Sequence, residues 1–528
     1  MKKLIVVVPG IFAFMKHWLP LKQRLQKEPE LAGSTWLEWH HHAWRKRPET
    51  YAIDLRAAID NVWRTKGPFD EITLVGHSFG GVLVRQAYLL GSGIFEDYQH
   101  KDKWCIHVRR FVLFASINRG WNPENLHALR FLYVALRPFG PLIQLHKELE
   151  VGSDFIADLR IQWIKHFRKL GDDAPAVVQV LGTKDGIVSR ADSIDVSQFP
   201  NAEEIEIPGA NHLNLHRFDR SADQESHYKL IRSAFLDTFE TKPAPAKKMV
   251  THVVFLLHGI RANNSEWVEQ ARGHIEESHP NAEIVTASYG YLPAVDFVIP
   301  VLRRRKINWF KDAYSYYYAR YPDADFRFLG HSNGTYLLGR SLQRVSGMCF
   351  RRVILVGSVL PRTYDWQKVF ARSQVELLRN DRANRDFPVG ILCSALRGLG
   401  MRDVGSAGFH GFDFKDERTL EIFYHDGGHS KALTETNIGP LIRSLMTDQI
   451  NRSQDRELQK NKPNPRFAFL SRFAPYVSFG VASSIAFGTA YCLYSKWESL
   501  TSAIVSLSPT ALLFSLGAIL IVGLIRAI

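Results

Sequence analysis

Four segments in the first half of the chain recur, in the same order, in the second half. The paired segments are 2–12 with 251–261 (KKLIVVVPGIF and THVVFLLHGIR), 71–90 with 325–343 (beginning EITLVGHSFGG and DFRFLGHSNGT), 177–189 with 389–406, and 205–216 with 420–433. The spacing is similar as well, because Gly10 precedes Ser78 by 68 residues and Gly259 precedes Ser332 by 73. Repetition of this kind indicates two copies of one structural unit.

Each copy begins with a short run of β-branched residues that ends in a glycine turn, which is typical of a buried strand. Similar runs, such as Ile72–Val75, alternate with helical patterns, such as Val82–Leu90. This alternation predicts the α/β class, with a mostly parallel sheet and helices on both faces in each copy. We place the first domain at 1–240 and the second at 250–447, joined by the proline- and lysine-rich linker 241–249.

A GxSxG motif lies between a predicted strand and a predicted helix in the first copy, at Gly76–Gly80. The backbone must bend sharply there, and glycines leave room for the neighbouring elements. This turn exposes Ser78 at the start of the helix. In the second copy the same turn presents Ser332, so both serines are candidate nucleophiles.

A serine hydroxyl needs a general base, and that base needs an acid to orient it. In the first copy the order serine, acid, histidine is met by Ser78, Asp185 and His212. Both Asp185 and His212 follow predicted strands, and the carboxyl ends of parallel strands are where such sheets build their sites. We therefore predict a catalytic triad.

The second copy repeats the pattern with Ser332 and His429. Asp403 is the preferred acid, because it precedes His429 by 26 residues while Asp185 precedes His212 by 27. The alternatives for this acid are Asp413 and Asp426.

The oxyanion formed in acyl transfer needs two backbone N–H donors. The predicted donors lie after each serine, at Phe79 and Asn333, and in the turn after each first strand, at Ile11 and Ile260. A site of this kind is predicted to use no metal and no cofactor.

Three segments of the first copy, VGHSFGGVLVRQA, FASINRGW and ELEVGSDFIADL, are similar to the lipase and esterase branch of the α/β-hydrolases that includes GPI inositol-deacylase-like enzymes. The resemblance covers residues 1–240 and, more loosely, 250–447. It implies two tandem α/β-hydrolase domains that cleave esters, thioesters or amides without a metal. Two departures are Pro9, where the family has histidine, and Thr335, which replaces a glycine and is expected to crowd the helix start.

Two stretches near the C terminus carry no charged residue, at 473–495 and 499–525. Because about 20 apolar residues span a bilayer, we predict a transmembrane helical hairpin at 473–525 after a polar, basic linker at 448–472. The alternative is a buried helical hairpin in a soluble protein. Basic residues on both flanks place the catalytic domains in the cytoplasm by the positive-inside rule: Lys460, Lys462, Arg466, Arg472 and Arg526.

The net charge of +14 favours anionic partners such as membrane surfaces. Arg303–Lys306, followed by Trp309 and Phe310, is interpreted as a membrane-facing patch or a solvated face, and nucleic acid is not expected as a partner. Four cysteines without a CxxC pair indicate neither a zinc site nor disulfides, and His40–His42 is interpreted as a solvated face. Leu126–Leu149 is either a cap beside an acyl substrate or ordinary packing.

These features together predict a membrane-anchored serine hydrolase that cleaves carboxylic esters of lipid or lipid-like substrates. One alternative is a membrane-tethered binding or signalling module in which one or both sites are inactive. Another is an acyltransferase or thioesterase that uses the same triad.

Overall fold

The computed structural model describes residues 1–11, 15–40, 46–95, 97–121, 145, 147–188, 202–238, 249–259, 266–286, 300–416, 420–448 and 463–495. The chain forms two compact units. The first unit contains Met1–Thr251, Ile307–Ala324 and Ser341–Met348, and the second contains His252–Lys306, Asp325–Arg340 and the chain from Cys349 onward.

The first unit contains a six-stranded sheet in which every pairing is parallel. Its strands are β1 (Lys3–Val8), β2 (Thr35–Glu38), β3 (Glu71–His77), β4 (Val108–Phe114), β5 (Ala176–Gly182) and β6 (Ala202–Ile207). The strand order is β2-β1-β3-β4-β5-β6. The described helices between residues 1 and 251 are α1 (Leu19–Leu25), α2 (Pro48–Lys66), α3 (Phe79–Gly91), α4 (Asp154–Leu170) and α5 (Gln224–Leu236).

The second unit contains another six-stranded parallel sheet. Its strands are β7 (His252–Leu257), β8 (Ala282–Thr286), β9 (Asp325–His331), β10 (Phe350–Val356), β11 (Val375–Ala383) and β12 (Leu420–His425), in the order β8-β7-β9-β10-β11-β12. The helices among the described residues from 266 onward are α6 (Glu266–Ser278), α7 (Pro300–Arg320), α8 (Asn333–Arg344), α9 (Trp366–Ala371), α10 (Ser394–Gly398), α11 (Ala407–His410), α12 (Glu435–Met446) and α13 (Pro465–Ser495).

The central strands are buried on both faces, which explains their continuous apolar sequences. In β1, Leu4 to Val8 are each at most 2% exposed. Burying such side chains stabilises the fold by about 1.5–3 kcal/mol each. The helix α3 that follows β3 is buried along its whole length, so the strand-to-helix turn before it is held in place from several sides.

The predicted α/β class with parallel sheets is confirmed, and the two sheets share one strand order. The duplication itself and the predicted domain boundaries stay predictions. Among the described helices, α13 is long and apolar enough over Pro465–Ala490 to cross a membrane. It begins at Pro465, eight residues before the predicted start at Phe473. The predicted second span, 499–525, lies outside the described residues.

Candidate active site

Ser78 occupies a strained turn between β3 and α3. Its φ is 52° and its ψ is −117°, a conformation that residues other than glycine rarely adopt. The Ser78 N–H donates to the Phe114 carbonyl at 2.8 Å, at the end of β4. A Cβ on Gly80 would lie 2.1 Å from the Val8 carbonyl oxygen, so only glycine fits there. These contacts fix Ser78 at the carboxyl edge of the sheet.

His212 and Asp185 meet at the same edge. His212 Nδ1 lies 2.9 Å from Asp185 Oδ2, and Asp185 Oδ1 accepts the N–H groups of Ile187 at 2.9 Å and Val188 at 3.0 Å. Burial raises the pKa of the Asp185 carboxyl, but the bonds from His212 and the two backbone N–H groups outweigh burial and hold that pKa below its ordinary value. The ionised carboxylate therefore keeps the proton on His212 Nδ1 and leaves Nε2 as the basic nitrogen.

A second histidine, His77, forms a hydrogen bond with the backbone of His212. His77 Nε2 lies 2.9 Å from the His212 carbonyl oxygen, which can only accept, so Nε2 donates. Burial lowers the pKa of His77 to about 3, and the ring is therefore neutral at physiological pH. His77 thus anchors the backbone of the loop that carries His212. The GHSxG sequence contains this residue, but the motif alone does not reveal its role.

The second unit contains a similar serine turn. Ser332 has φ 52°, and its N–H donates to the Val356 carbonyl at 2.9 Å. A Cβ on Gly334 would lie 2.5 Å from the Leu257 carbonyl oxygen. The half-buried His331 ring lies 4.5 Å from the His429 ring, centroid to centroid, and its Nε2 lies 3.4 Å from Ser430 Oγ.

The acid that meets His429 is Asp386. His429 Nδ1 lies 2.8 Å from Asp386 Oδ2, and Asp386 Oδ1 accepts the Val389 N–H at 3.0 Å. Asp386 is fully buried. It stands three residues after the end of β11, as Asp185 stands three residues after the end of β5.

The predicted contact of Asp403 with His429 is wrong. Asp403 instead accepts the Tyr336 hydroxyl at 2.6 Å and the Arg303 guanidinium at 3.2 Å. The two alternatives also lie elsewhere: Asp413 pairs with Arg362 at 2.7 Å, and Asp426 accepts from Asn384 at 2.9 Å.

The error came from assuming one spacing for both copies. The acid precedes the histidine by 27 residues in the first unit and by 43 in the second. The segment that the sequence comparison pairs with β5 begins at 389, and the structure places that beginning in a π-helix at Pro388–Cys393. The strand that precedes the acid is β11. It does not read as an apolar run because it contains Arg379 and Asp381, which are buried together as an ion pair with Nε and Oδ2 2.9 Å apart. The signal that identifies Asp386 is its position three residues after that strand.

The candidate oxyanion donors of the first unit lie beside the serine. A Cβ on Gly10 would lie 3.0 Å from the Ser78 Cβ, so the turn that contains Ile11 packs directly against the candidate nucleophile Ser78. Phe79 and Asn333 begin α3 and α8 immediately after their serines. Ile260 lies outside the described residues.

Thr335 fits the second site without the expected crowding. It is fully buried, donates its hydroxyl to the Ser332 carbonyl at 2.7 Å, and accepts the Val359 N–H at 3.2 Å. The corresponding residue of the first unit, Gly81, has no such space, because a Cβ there would lie 2.3 Å from Ser116 Oγ.

Several other features noted in the sequence are not part of either site or lie outside the described residues. Arg303 is buried against Asp403, so it is not part of a solvated basic face. Of the histidine run only His40 is described, and of Leu126–Leu149 only 145 and 147–149. Within the described ranges no cluster of three or more histidine, cysteine or acidic residues could hold a metal.

Comparison with known families gives one match. The family profile described as "Alpha/beta hydrolase family" matches residues 5–224. No curated protein matches the chain at a significant level.

Solved structures of several esterases and lipases are similar to parts of the chain. Phospholipase PlaB from Legionella pneumophila is 15% identical with a TM-score of 0.26, over 35% of this chain and 38% of that protein. The match thus spans about two fifths of the length of the phospholipase. A monoacylglycerol lipase of Paleococcus ferrophilus is 15% identical with a TM-score of 0.29, over 44% of this chain and 92% of the lipase. The esterase domain of a Rhodothermus marinus protein is 15% identical with a TM-score of 0.27, over 44% and 85% of the two chains.

Proposed function

We propose that the protein is a membrane-anchored serine hydrolase of lipid-like carboxylic esters, and the match of residues 5–224 to the alpha/beta hydrolase family profile supports this proposal. The observation that carries the proposal is the 2.9 Å bond between His212 Nδ1 and Asp185 Oδ2 at the sheet edge that presents Ser78. In this arrangement the imidazole has a fixed tautomer and a basic Nε2, which is what a serine nucleophile requires.

The reaction proceeds in two halves. Ser78 Oγ attacks the acyl carbon while His212 Nε2 takes the serine proton, and the imidazolium then gives that proton to the departing alcohol as the ester C–O bond breaks. Water, deprotonated by His212, attacks the acyl-enzyme and releases the acid and the free serine. Asp185 remains ionised throughout and stabilises the imidazolium. The N–H groups of Phe79 and Ile11 are the proposed donors to the oxyanion.

We test the first site in the full-length protein with Ser332→Ala as background, so that only Ser78 can supply turnover. Adding Ser78→Ala is expected to lower kcat for a soluble nitrophenyl ester by roughly 10⁴–10⁶-fold. The control is Ser233→Ala, whose hydroxyl caps a carbonyl within α5. Retained turnover in the Ser78→Ala protein would exclude Ser78 as the nucleophile.

We propose that the second site, with Ser332, His429 and Asp386, catalyses the same type of reaction. The supporting observation is that its acid–histidine contact, at 2.8 Å, matches that of the first site. Its turnover is measured in a Ser78→Ala background, with alcohol and thiol acceptors added. Ester or thioester products would identify an acyltransferase, and absent turnover would identify a binding module.

Membrane anchoring is the third part of the proposal, and it rests on α13. No residue in the most apolar stretch of Pro465–Ala490 is fully buried, which is how a lipid-facing helix differs from a core helix. Exposed Arg466 and Arg472 lie near its start and favour a cytoplasmic position for the two units. The protein is expected to stay in the membrane fraction after alkaline carbonate washing. Release into the supernatant would contradict anchoring.

A further inference from the structure

In the described part of the second unit, two segments carry the exposed large apolar side chains. Among its described residues, the large apolar side chains that are exposed belong either to α13 or to the stretch 387–399. In that stretch Phe387 is 56% exposed, and Leu392 and Leu399 are each 52% exposed. Exposed apolar residues that cluster in this way mark an interaction surface rather than chance exposure.

The two segments are joined by close backbone packing. Ser478 Oγ in α13 donates to the Ala395 carbonyl at 2.7 Å, and the hydroxyls of Ser394 and Ser471 lie 3.1 Å apart. A Cβ on Gly398 would lie 2.1 Å from the Pro475 carbonyl oxygen. The segment 387–399 and the first half of α13 therefore form one continuous surface, which we call the apolar platform.

The contacts between α13 and the segment 387–399 indicate how deep the apolar platform lies in the bilayer. Ser478 is six residues beyond the exposed Arg472, which at 1.5 Å per residue is about 9 Å along the helix axis. Interfacial elements bury their apolar faces about 5–10 Å into the boundary between headgroups and acyl chains. If Arg472 lies among the headgroups, α10 reaches this boundary, and its exposed Arg397 remains within reach of anionic lipids.

We propose that the apolar platform is embedded in the interfacial layer of the bilayer, so that Phe387, Leu392 and Leu399 contact lipid beside α13. This inference rests on the proposed anchoring by α13. Asp386, the acid that bonds His429, immediately precedes Phe387. The second site is thereby placed at the membrane surface, where its substrate is a lipid that enters from the bilayer rather than from solution.

The test measures lipid burial at single positions of the full-length protein. Cysteine is introduced at Leu399, at Phe479 in α13, or at Glu376 near the opposite end of β11, and each thiol is labelled with the fluorophore NBD. Cys349→Ser and Cys492→Ser remove two native thiols from this background. The buried Cys105 and Cys393 stay unlabelled, because burial raises the pKa of both thiols, that of Cys393 to about 12.

The labelled proteins are reconstituted in phosphatidylcholine–phosphatidylglycerol vesicles and exposed to dithionite, an anion that reduces NBD in water but does not enter hydrocarbon. The 399 and 479 labels are expected to be reduced at least about tenfold more slowly than the 376 label, because charge is excluded from the apolar layer. Equal rates at 399 and 376, with 479 protected, would overturn the platform and leave anchoring intact. Equal rates at all three positions would overturn both.

Discussion

The two candidate sites of this chain share one geometry but reach it through different sequences. In each unit a strained serine follows the third strand of that unit's sheet in chain order, a histidine precedes the serine, and an acid bonds a second histidine at 2.8–2.9 Å. The segment between acid and histidine is 27 residues in the first unit and 43 in the second. The comparison teaches that the acid is positioned by the end of its strand and not by its distance to the histidine along the chain.

The largest effect is expected from Asp386. In a Ser78→Ala background, Asp386→Asn should lower kcat/KM of the second site by about 10⁴-fold, because the amide no longer holds the tautomer of His429 that leaves Nε2 basic. Hydrolysis of a soluble ester measures the change.

Asp403→Asn is the matched comparison. Its carboxylate bonds Tyr336 and Arg303 and not His429, so this substitution should leave the rate within a few-fold of the parent. A larger loss for Asp403→Asn than for Asp386→Asn would reverse the assignment of the acid.

Gly81 and Thr335 offer the next contrast. At Gly81 the first unit has no room for a side chain, whereas the second unit accommodates Thr335 at the corresponding position. A methyl group at Gly81 would press on Ser116 Oγ, and Gly81→Ala should lower the free energy of unfolding of the first unit by about 1–3 kcal/mol. Urea unfolding followed by fluorescence measures this loss. Gly186→Ala, at an exposed position of the same unit where a Cβ meets no atom within 4 Å, serves as the control. A Gly81→Ala protein as stable as that control would show that the helix start is more adaptable than the structure indicates.

Acid should weaken the first unit through His77. The unfolded ring takes up a proton near pH 6.5 and the folded ring only near pH 3, so unfolding binds a proton between these values. The free energy of unfolding therefore falls as the pH falls through this window, by up to about 1.4 kcal/mol per pH unit. His77→Gln keeps an N–H donor but does not titrate.

Unfolding of the parent and of His77→Gln is compared at pH 7 and pH 5. The variant should lose less stability between the two pH values than the parent. Equal losses would show that His77 is not the group responsible.

The smallest effect is expected from Thr335→Val, which keeps the shape of the side chain and removes its hydroxyl. The loss of bonds to the Ser332 carbonyl and the Val359 N–H should cost about 1 kcal/mol in unfolding free energy of the second unit. A neutral result would mean that these buried groups find other partners.

Much of both sites could be predicted, because many of their residues lie in short sequence patterns that are recognisable without knowledge of the fold. The turns at Ser78 and Ser332 require glycines at fixed offsets, and His212 follows β6, whose alternating Glu and Ile residues are typical of a strand. Asp386 could not be identified in this way, since β11 carries Arg379, Asn380 and Asp381 at buried positions where a strand search expects apolar residues. His77 was missed for another reason: its role depends on a bond to the His212 carbonyl, which is 135 residues away.

The central claim is that one chain holds two chemically complete serine sites. Intact mass spectrometry of the full-length protein after saturation with a fluorophosphonate tests it directly. We expect two adducts on the wild-type chain, one on each of Ser78→Ala and Ser332→Ala, and none on the double variant. A single adduct on the wild-type chain, or any adduct on the double variant, would contradict the account.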